Sequence, residues 1–395
     1  MICIAGQNNI AVYFAEFLIK NNYTFVACLN KNDLGLNNFN RSFNRFCYSN
    51  KIKIYELEEL YTIENLIFFS LEFDQIIIPA KFKTKKLYNL HFSLLPSYKG
   101  MYTSAWPILN GEKKSGVTIH VIDNGIDTGD IIYQKKFSIK NLNCEQLYTK
   151  YVSEGLDLLI ENFSKILNDN YSCKKQKAIN STYFSKKSID YKNLKINLHK
   201  TAFQIDSQIR AYYFPCKQHP LVYDKKIYKS DVLKVKSKEK PGAIYYEDED
   251  FIILNTIDYN IKLYISQIET LFTYAKNGDI ESIIKKKDKN HDIKIRNDKG
   301  WDLLIIATYN GKIDLVRYLI EFLNWDVNTN NYNGTSFLMY AMTHASNTND
   351  LSILKYSLNL KDIEIYHTDF FNKNVFDYAL EYANLNVINL LKSKS

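Results

Sequence analysis

Apolar positions in the first two hundred residues follow two alternating rhythms. Short apolar runs at 1–5, 25–29 and 52–55 read as strands buried on both faces. Residues 10–19 repeat their apolar positions every three or four places, the spacing of an amphipathic helix. The triplet Ile76-Ile77-Ile78 predicts another central strand over 74–79. Further strands are expected at 87–92, 116–122 and 130–139, then one long helix over 143–167. Buried strands alternating with covering helices predict a Rossmann-like α/β domain with a mostly parallel sheet over residues 1–200.

Near residue 200 the rhythm changes. A helix-like segment, 199–210, leads into Ala211-Tyr212-Tyr213-Phe214-Pro215. Residues 221–230, 242–256 and 258–266 then alternate with the two-residue period of antiparallel strands, turning at Asp224-Lys225 and at 247–250. A small antiparallel β domain is predicted over 201–267. From 268 to 395 helices dominate, and their anchors Ile280, Ile313, Leu351 and Leu385 lie 33, 38 and 34 positions apart. Gly300 and Gly334 precede first helices that carry Ala307 and Ala341 in the same register. Units of about 33 residues with these features resemble ankyrin repeats, which implies an all-α array.

Composition adds mainly exclusions. Tyr, Phe, Asn, Lys and Ile are abundant, as AT-rich codons dictate, so a single Lys or Asn carries little signal. The formal charge of +8 is spread along the chain. It suits an anionic substrate such as a nucleotide and tolerates RNA without requiring either. Six cysteines form no Cys-x-x-Cys pair and none stands at zinc spacing from a histidine, so free thiols in a reducing compartment are expected. No stretch reaches the roughly 18 apolar residues of a membrane span, and residues 1–14 lack a secretory pattern. A cytoplasmic protein with no membrane partner is expected. Gly6 stands alone, so NAD is not expected.

The chemistry-bearing stretch runs from Asn89 to Gly100, followed by Gly116–His120 and by Asp127-Thr128-Gly129-Asp130-Ile131-Ile132. On a strand, Asn89 and His91 point to the same face, and ligands of α/β sheets bind at the carboxyl ends of strands. Taken singly, His91 reads as a satisfied, partly buried histidine and Asp127 as a turn aspartate. Taken together, HFSLLPSYKG, GVTIH and DTGDII resemble the 10-formyltetrahydrofolate-dependent formyltransferases. The resemblance implies N10-formyltetrahydrofolate as co-substrate and Asn89, His91 and Asp127 as catalytic residues. It places folate against Glu72, Phe73, Ile122, Asp123 and Asn124. Formyl transfer passes through a tetrahedral oxyanion, which Asn89 suits as a donor; whether His91 or Asp127 takes the proton stays open at this point. Ser93 and Thr118 are expected to hold turns, and His120 to pack behind the site. His91 and His120 have no third ligand at reasonable spacing, so no metal is expected.

Residues 101–103 and 209–215 resemble bacterial enzymes of that family acting on dTDP-linked amino sugars. The ankyrin-bearing kind, acting on dTDP-3-amino-3,6-dideoxyglucose for surface polysaccharide, is the nearer resemblance. It implies substrate contacts at Lys81, Tyr98, Met101, Tyr102, Thr103, Arg210, Tyr212 and Tyr213, and a homodimer. Aromatic faces would stack on thymine and Arg210 would pair with pyrophosphate. The competing reading makes these aromatics a core cluster. A methionyl-tRNA formyltransferase is the alternative enzyme, disfavoured by the acidic 247–250 turn and by the array, so nucleic acid is not expected as a partner. An ankyrin interaction protein with an inactive enzyme-like half is disfavoured by the intact Asn89, His91 and Asp127. Trp301 follows Gly300 with Arg296 and Lys299 upstream. It is expected to pack on the β domain, to stack a base in a second nucleotide-sugar site, or to meet a protein partner.

Overall fold

The computed structural model describes residues 1–393. Contacts divide the chain into two units, residues 1–36 with 40–266, and residues from 267 onward with 37–39. In the first unit, β1 (Ile2–Gly6), β2 (Phe25–Leu29), β3 (Ile67–Leu71) and β4 (Leu87–His91) pair in parallel. A short β5 (Lys99–Gly100) lies apart from them, while β6 (Lys114–Val121) and β7 (Ile131–Ser138) complete the sheet antiparallel. The strand order is β2-β1-β3-β4-β6-β7. β5 pairs in parallel with β8 (Tyr183–Phe184).

Two expected strands are corrected. Residues 74–79 form no strand, and β3 takes the central position instead. Phe68, Phe69 and Leu71 are fully buried, whereas Ile76 is 75% exposed and only Ile77 of its triplet is buried. The apolar run therefore leaves the sheet, and Ile76 and Ile77 line the cleft beyond β3. Residues 52–55 make only a bridge to Ala27, through Ala27 N–H to Lys53 O and Tyr55 N–H to Ala27 O.

The long helix Cys144–Leu167 begins where Asn143 and Gln146 cap each other reciprocally, at 2.9 and 3.0 Å. Its buried face packs Leu147, Tyr151, Leu158 and Phe163 on the sheet. Gly155 permits the approach: a Cβ there would lie 2.9 Å from Leu90 Cδ2. The helix thus rests directly on the strand that bears Asn89 and His91.

The β domain belongs to the same contact unit. Its strands β9 (Leu221–Val222), β10 (Lys225–Lys236), β11 (Ile244–Glu247), β12 (Phe251–Leu254) and β13 (Tyr259–Ile265) lie in the order β11-β12-β13-β10-β9. The helix Ala202–Tyr212 covers one face with Ile205 and Ile209 against Ile227, Ile261 and Leu263.

The second unit stacks helix pairs, among them Leu303–Tyr309 with Ile313–Glu321 and Phe337–Thr348 with Ser352–Ser357. One core runs through the array, from Leu271 through Leu304, Ala307, Phe337 and Ala341 to Val387. Asp302 joins neighbouring repeats. It accepts Ile305 N–H at 2.9 Å, capping its own helix, and takes Trp325 Nε1–H at 3.2 Å and the Thr329 hydroxyl at 2.6 Å. Each copy is incomplete without the next, as stacking of repeats requires.

Candidate active site

β4 and β6 run antiparallel with Asn89 opposite His120 and His91 opposite Thr118. This register places an amide and two imidazoles around the Asp127 carboxylate, which enters from the loop after β6. Asn89 Nδ2 donates to Asp127 Oδ1 at 3.2 Å and to His120 Nε2 at 3.1 Å. His120 Nδ1–H donates to Val121 O at 2.8 Å, which leaves Nε2 as the acceptor for Asn89. His91 donates from Nε2 to Tyr98 O at 2.8 Å, so its Nδ1 carries the lone pair and faces Asp127 Oδ2 at 3.5 Å. Asp127 Oδ2 also accepts the Gly100 N–H at 2.8 Å.

Burial opposes the charge on Asp127. With the two imidazoles protonated, the His91 charge, the His120 bond and the Gly100 N–H together outweigh that cost and hold its carboxyl well below the usual carboxylate range. Asp127 is therefore a stable anion and a weak base. Its backbone lies in the left-handed region, at φ +53. Ser93 and Thr118 hold the loop behind: the Thr118 hydroxyl donates to Ser93 O and accepts Leu95 N–H, while the Ser93 hydroxyl donates to Ser97 O.

The cleft over this cluster has a volume of about 430 Å³. Glu72, Phe73, Ile122 and Asp123 line it, as do Met101, Tyr102 and Thr103. Glu72 Oε2 accepts the Tyr148 hydroxyl at 2.9 Å and Asn8 Nδ2 at 3.3 Å. Burial raises the Glu72 pKa, partly offset by those two bonds and by Lys217. Ile76, Ile126 and Tyr183 form exposed apolar lips.

Other expected contacts have different partners. Arg210 donates to Asp206 Oδ2 at 2.8 Å and to Leu142 O at 3.1 Å, so its guanidinium braces the helix. Tyr213 is buried beside His219 and Tyr228, and Tyr212 packs against both the core between the sheet and the long helix and the core of the β domain. Lys81 is exposed over the Tyr61 ring, and Asn124 is exposed in the turn before Asp127. Tyr98 contributes its carbonyl, while its ring stacks on Phe184 and its hydroxyl donates to Glu112. In the array, Arg296 donates to the Gly300 and Asn330 carbonyls and to Thr329, stitching repeats together. Trp301 is half-buried with its ring 5.1 Å from Tyr309 and 5.0 Å from Tyr340, and Lys299 Nζ lies 5.9 Å from its centroid.

The contact of His120 with Asn89 went unread in the sequence, because only the β4–β6 register reveals it. The Asp206–Arg210 pair was visible there as an i,i+4 couple. Among the described residues, no three or more His, Cys, Asp or Glu side chains gather to hold a metal, and no helix is long and apolar enough to cross a membrane.

Residues 73–162 match the family described as Formyl transferase, residues 188–274 its C-terminal domain, and residues 271–369 Ankyrin repeats in three copies. WlaRD, a sugar 3N-formyl transferase whose structure was determined with dTDP and 5-N-formyl-THF, is 45% identical. The match covers 67% of this chain and 97% of that one, with a TM-score of 0.63. An N-formyltransferase from Helicobacter canadensis, in complex with folinic acid and dTDP-3-aminofucose, is 43% identical over 67% and 99% of the two chains, with a TM-score of 0.63. The methionyl-tRNA formyltransferase of Clostridium novyi (strain NT) is 36% identical over 163 residues, 40% of this chain and 51% of that protein. The chain thus spans about half the length of the first curated relatives it matches.

Proposed function

The chain belongs to the formyl transferase family, and on that premise we propose that it moves a formyl group from N10-formyltetrahydrofolate to the amine of a dTDP-linked 3-amino-3,6-dideoxyhexose, the gluco sugar first. The observation that carries this reading is the 45% identity, over nearly the whole of WlaRD, to a sugar 3N-formyl transferase. The curated methionyl-tRNA enzymes support the same chemistry but not the same acceptor. Glu72, Phe73, Ile122 and Asp123 would hold the folate, and Met101, Tyr102 and Thr103 would face the amino sugar. A cytoplasmic homodimer fits this reading.

In the reaction, the neutral amine attacks the formyl carbon and the carbonyl electrons move onto oxygen. The amine proton passes to His91 Nδ1, the ring nitrogen with a free lone pair, and Asp127 stabilises the imidazolium as a fixed anion. The proton then travels to N10 of the folate as the carbon–nitrogen bond breaks, releasing tetrahydrofolate and the formamide. Asn89 ties Asp127 to His120. Its amide exchanges one of those bonds for the oxyanion, an interaction worth about 3 kcal/mol in a dry site.

The test is tetrahydrofolate release by purified protein, supplied in turn with dTDP-3-amino-3,6-dideoxyglucose, the 4-amino isomer and charged initiator tRNA. Turnover is expected with the 3-amino sugar and not with tRNA. Efficient formylation of the tRNA reverses the assignment.

A further inference from the structure

We propose that the connector between the long helix and the β domain, residues 174–184, sets the geometry of the catalytic centre, with Gln176 and Thr182 as its positioning residues. The inference rests on the reading of His91 and Asp127 as catalytic, and concerns what keeps them in place.

Asp127 occupies left-handed backbone at φ +53, a conformation its loop contacts hold in place. On one side its loop is tied to Asp123, whose Oδ1 accepts the Thr128 hydroxyl at 2.7 Å and the Gly125 N–H at 3.1 Å. On the other side Gln176 closes it. The two hydrogens of Nε2 go to Asp127 O at 2.9 Å and Gly129 O at 2.8 Å. Carbonyls only accept, so the orientation of this amide is fixed by its partners. Lys174 and Ile131 exchange both backbone bonds at 2.8 Å, anchoring the connector one residue beyond the Asp127–Asp130 turn.

The same connector then reaches the second catalytic loop. Thr182 Oγ1 accepts Tyr98 N–H at 2.7 Å, and Thr182 O accepts Lys99 N–H at 2.9 Å. The Ser97 hydroxyl donates to Asn180 O at 2.8 Å, and Met101 N–H to Phe184 O at 2.8 Å. That loop supplies the Tyr98 carbonyl to His91 and the Gly100 N–H to Asp127. One peptide therefore holds the turn that aims the carboxylate and the loop that fixes the imidazole tautomer. Their separation depends on the few residues between Gln176 and Thr182.

Gln176→Leu removes both donors at nearly constant volume, Thr182→Val removes the acceptor, and Thr182→Ser retains it. In the full-length protein, Gln176→Leu and Thr182→Val should each lower kcat at least tenfold, leave KM for both substrates within threefold, and keep the melting temperature near wild type. Thr182→Ser should restore kcat to within threefold. A second readout needs no substrate. The imidazole nitrogen-15 resonances of His91, assigned with His91→Gln, should show one Nε2–H tautomer in wild type and an averaged pattern in the two damaging variants. A folded Gln176→Leu protein with wild-type kcat and an unaltered His91 pattern overturns the proposal. So does a loss of activity that follows melting temperature alone and is not rescued by Thr182→Ser. If wild type formylates no amine, the functional reading fails, and the His91 resonances still decide whether the connector positions the ring.

Discussion

The two units use left-handed backbone differently. In the array it falls on Gly278, Gly300, Gly311 and Gly334 and on asparagines such as Asn290, Asn324 and Asn372, with Ala383 the exception. Glycine and asparagine adopt that geometry at little cost. In the first unit it also falls on Lys51, Asp169, Tyr223 and Asp224, none of which lines the cleft, and on Glu72, Tyr98, Tyr102 and Asp127. Glu72, Tyr102 and Asp127 line the cleft, and Tyr98 holds His91 through its carbonyl. For Glu72, Tyr98 and Tyr102 the cost is on the order of 1–2 kcal/mol relative to relaxed backbone, and for Asp127 it is smaller. The array chooses residue types that relieve the conformation, because its turns need only shape. The cleft keeps side chains that resist it, because those positions must also carry a carboxylate, a phenol or a correctly aimed carbonyl. Several such residues gather at the cleft, whereas the array has Ala383, and that clustering marks where chemistry competes with stability.

Substitutions in the two regions should separate these demands. Asn89→Ala, His91→Ala and Asp127→Ala should each lower kcat at least a hundredfold while far-ultraviolet circular dichroism stays native. A folded His91→Ala protein turning over at nearly the wild-type rate removes the mechanism. Gly300→Ala should do the reverse. Its Cβ would meet Tyr332 N at 2.6 Å in a left-handed turn at φ +81. The array should lose about 2 kcal/mol in urea unfolding, with kcat unchanged. Lost turnover in that variant would show that the comparison is drawn too sharply.

Legibility in the sequence divides along similar lines. Asn89, His91 and Asp127 could be read because strand alternation and a short motif are local properties. Apolar residues at helical spacing made the long helix legible to within a residue. Non-local properties were not legible. An apolar triplet cannot declare whether it lies inside a sheet or at the rim of a cleft, so Ile76–Ile78 displaced β3 in the sequence reading. The pairing of Asn89 with His120, 31 positions apart, depends on a register between strands, which periodicity does not encode. The aromatic segment at 212–214 is a further case: composition suits a ligand face and a domain seam equally, and only packing assigned Tyr213 to the core.

Acid sensitivity probes the cleft more finely. The Asp127 carboxyl is held below its ordinary value of 3.8 in the folded protein, so the unfolded chain binds its proton first as pH falls. The anion's contribution to stability is present in full above that ordinary value and is lost progressively as pH falls toward the lowered folded value. One such group adds a slope of up to about 1.4 kcal/mol per pH unit. Between pH 4 and pH 2, stability of the first unit should fall more steeply in wild type than in Asp127→Asn. Parallel slopes would mean that the carboxyl is not held as an anion.

The smallest effect on turnover concerns Trp301, where the array departs from its own economy of residue types. The position after Gly334 in the next repeat is Thr335, yet Gly300 is followed by an indole. Packing accounts for part of it, since the ring meets Tyr309 and Tyr340. The remainder stays accessible, beside the Lys299 ammonium and the exposed Tyr309. Arg296 is committed to backbone carbonyls, so a nucleotide-sugar site here would consist of the indole face and Lys299 alone, and would be weak. Calorimetric titration with dTDP-sugar should then find one tight and one weak site per chain in wild type. Trp301→Ala should retain the tight site, lose the weak one, and leave kcat within about twofold, since the triad is untouched. One site per chain in both proteins, with only a lower melting temperature for the variant, would reduce Trp301 to a packing residue. The array would then be structural at this face, and its contrast with the cleft complete.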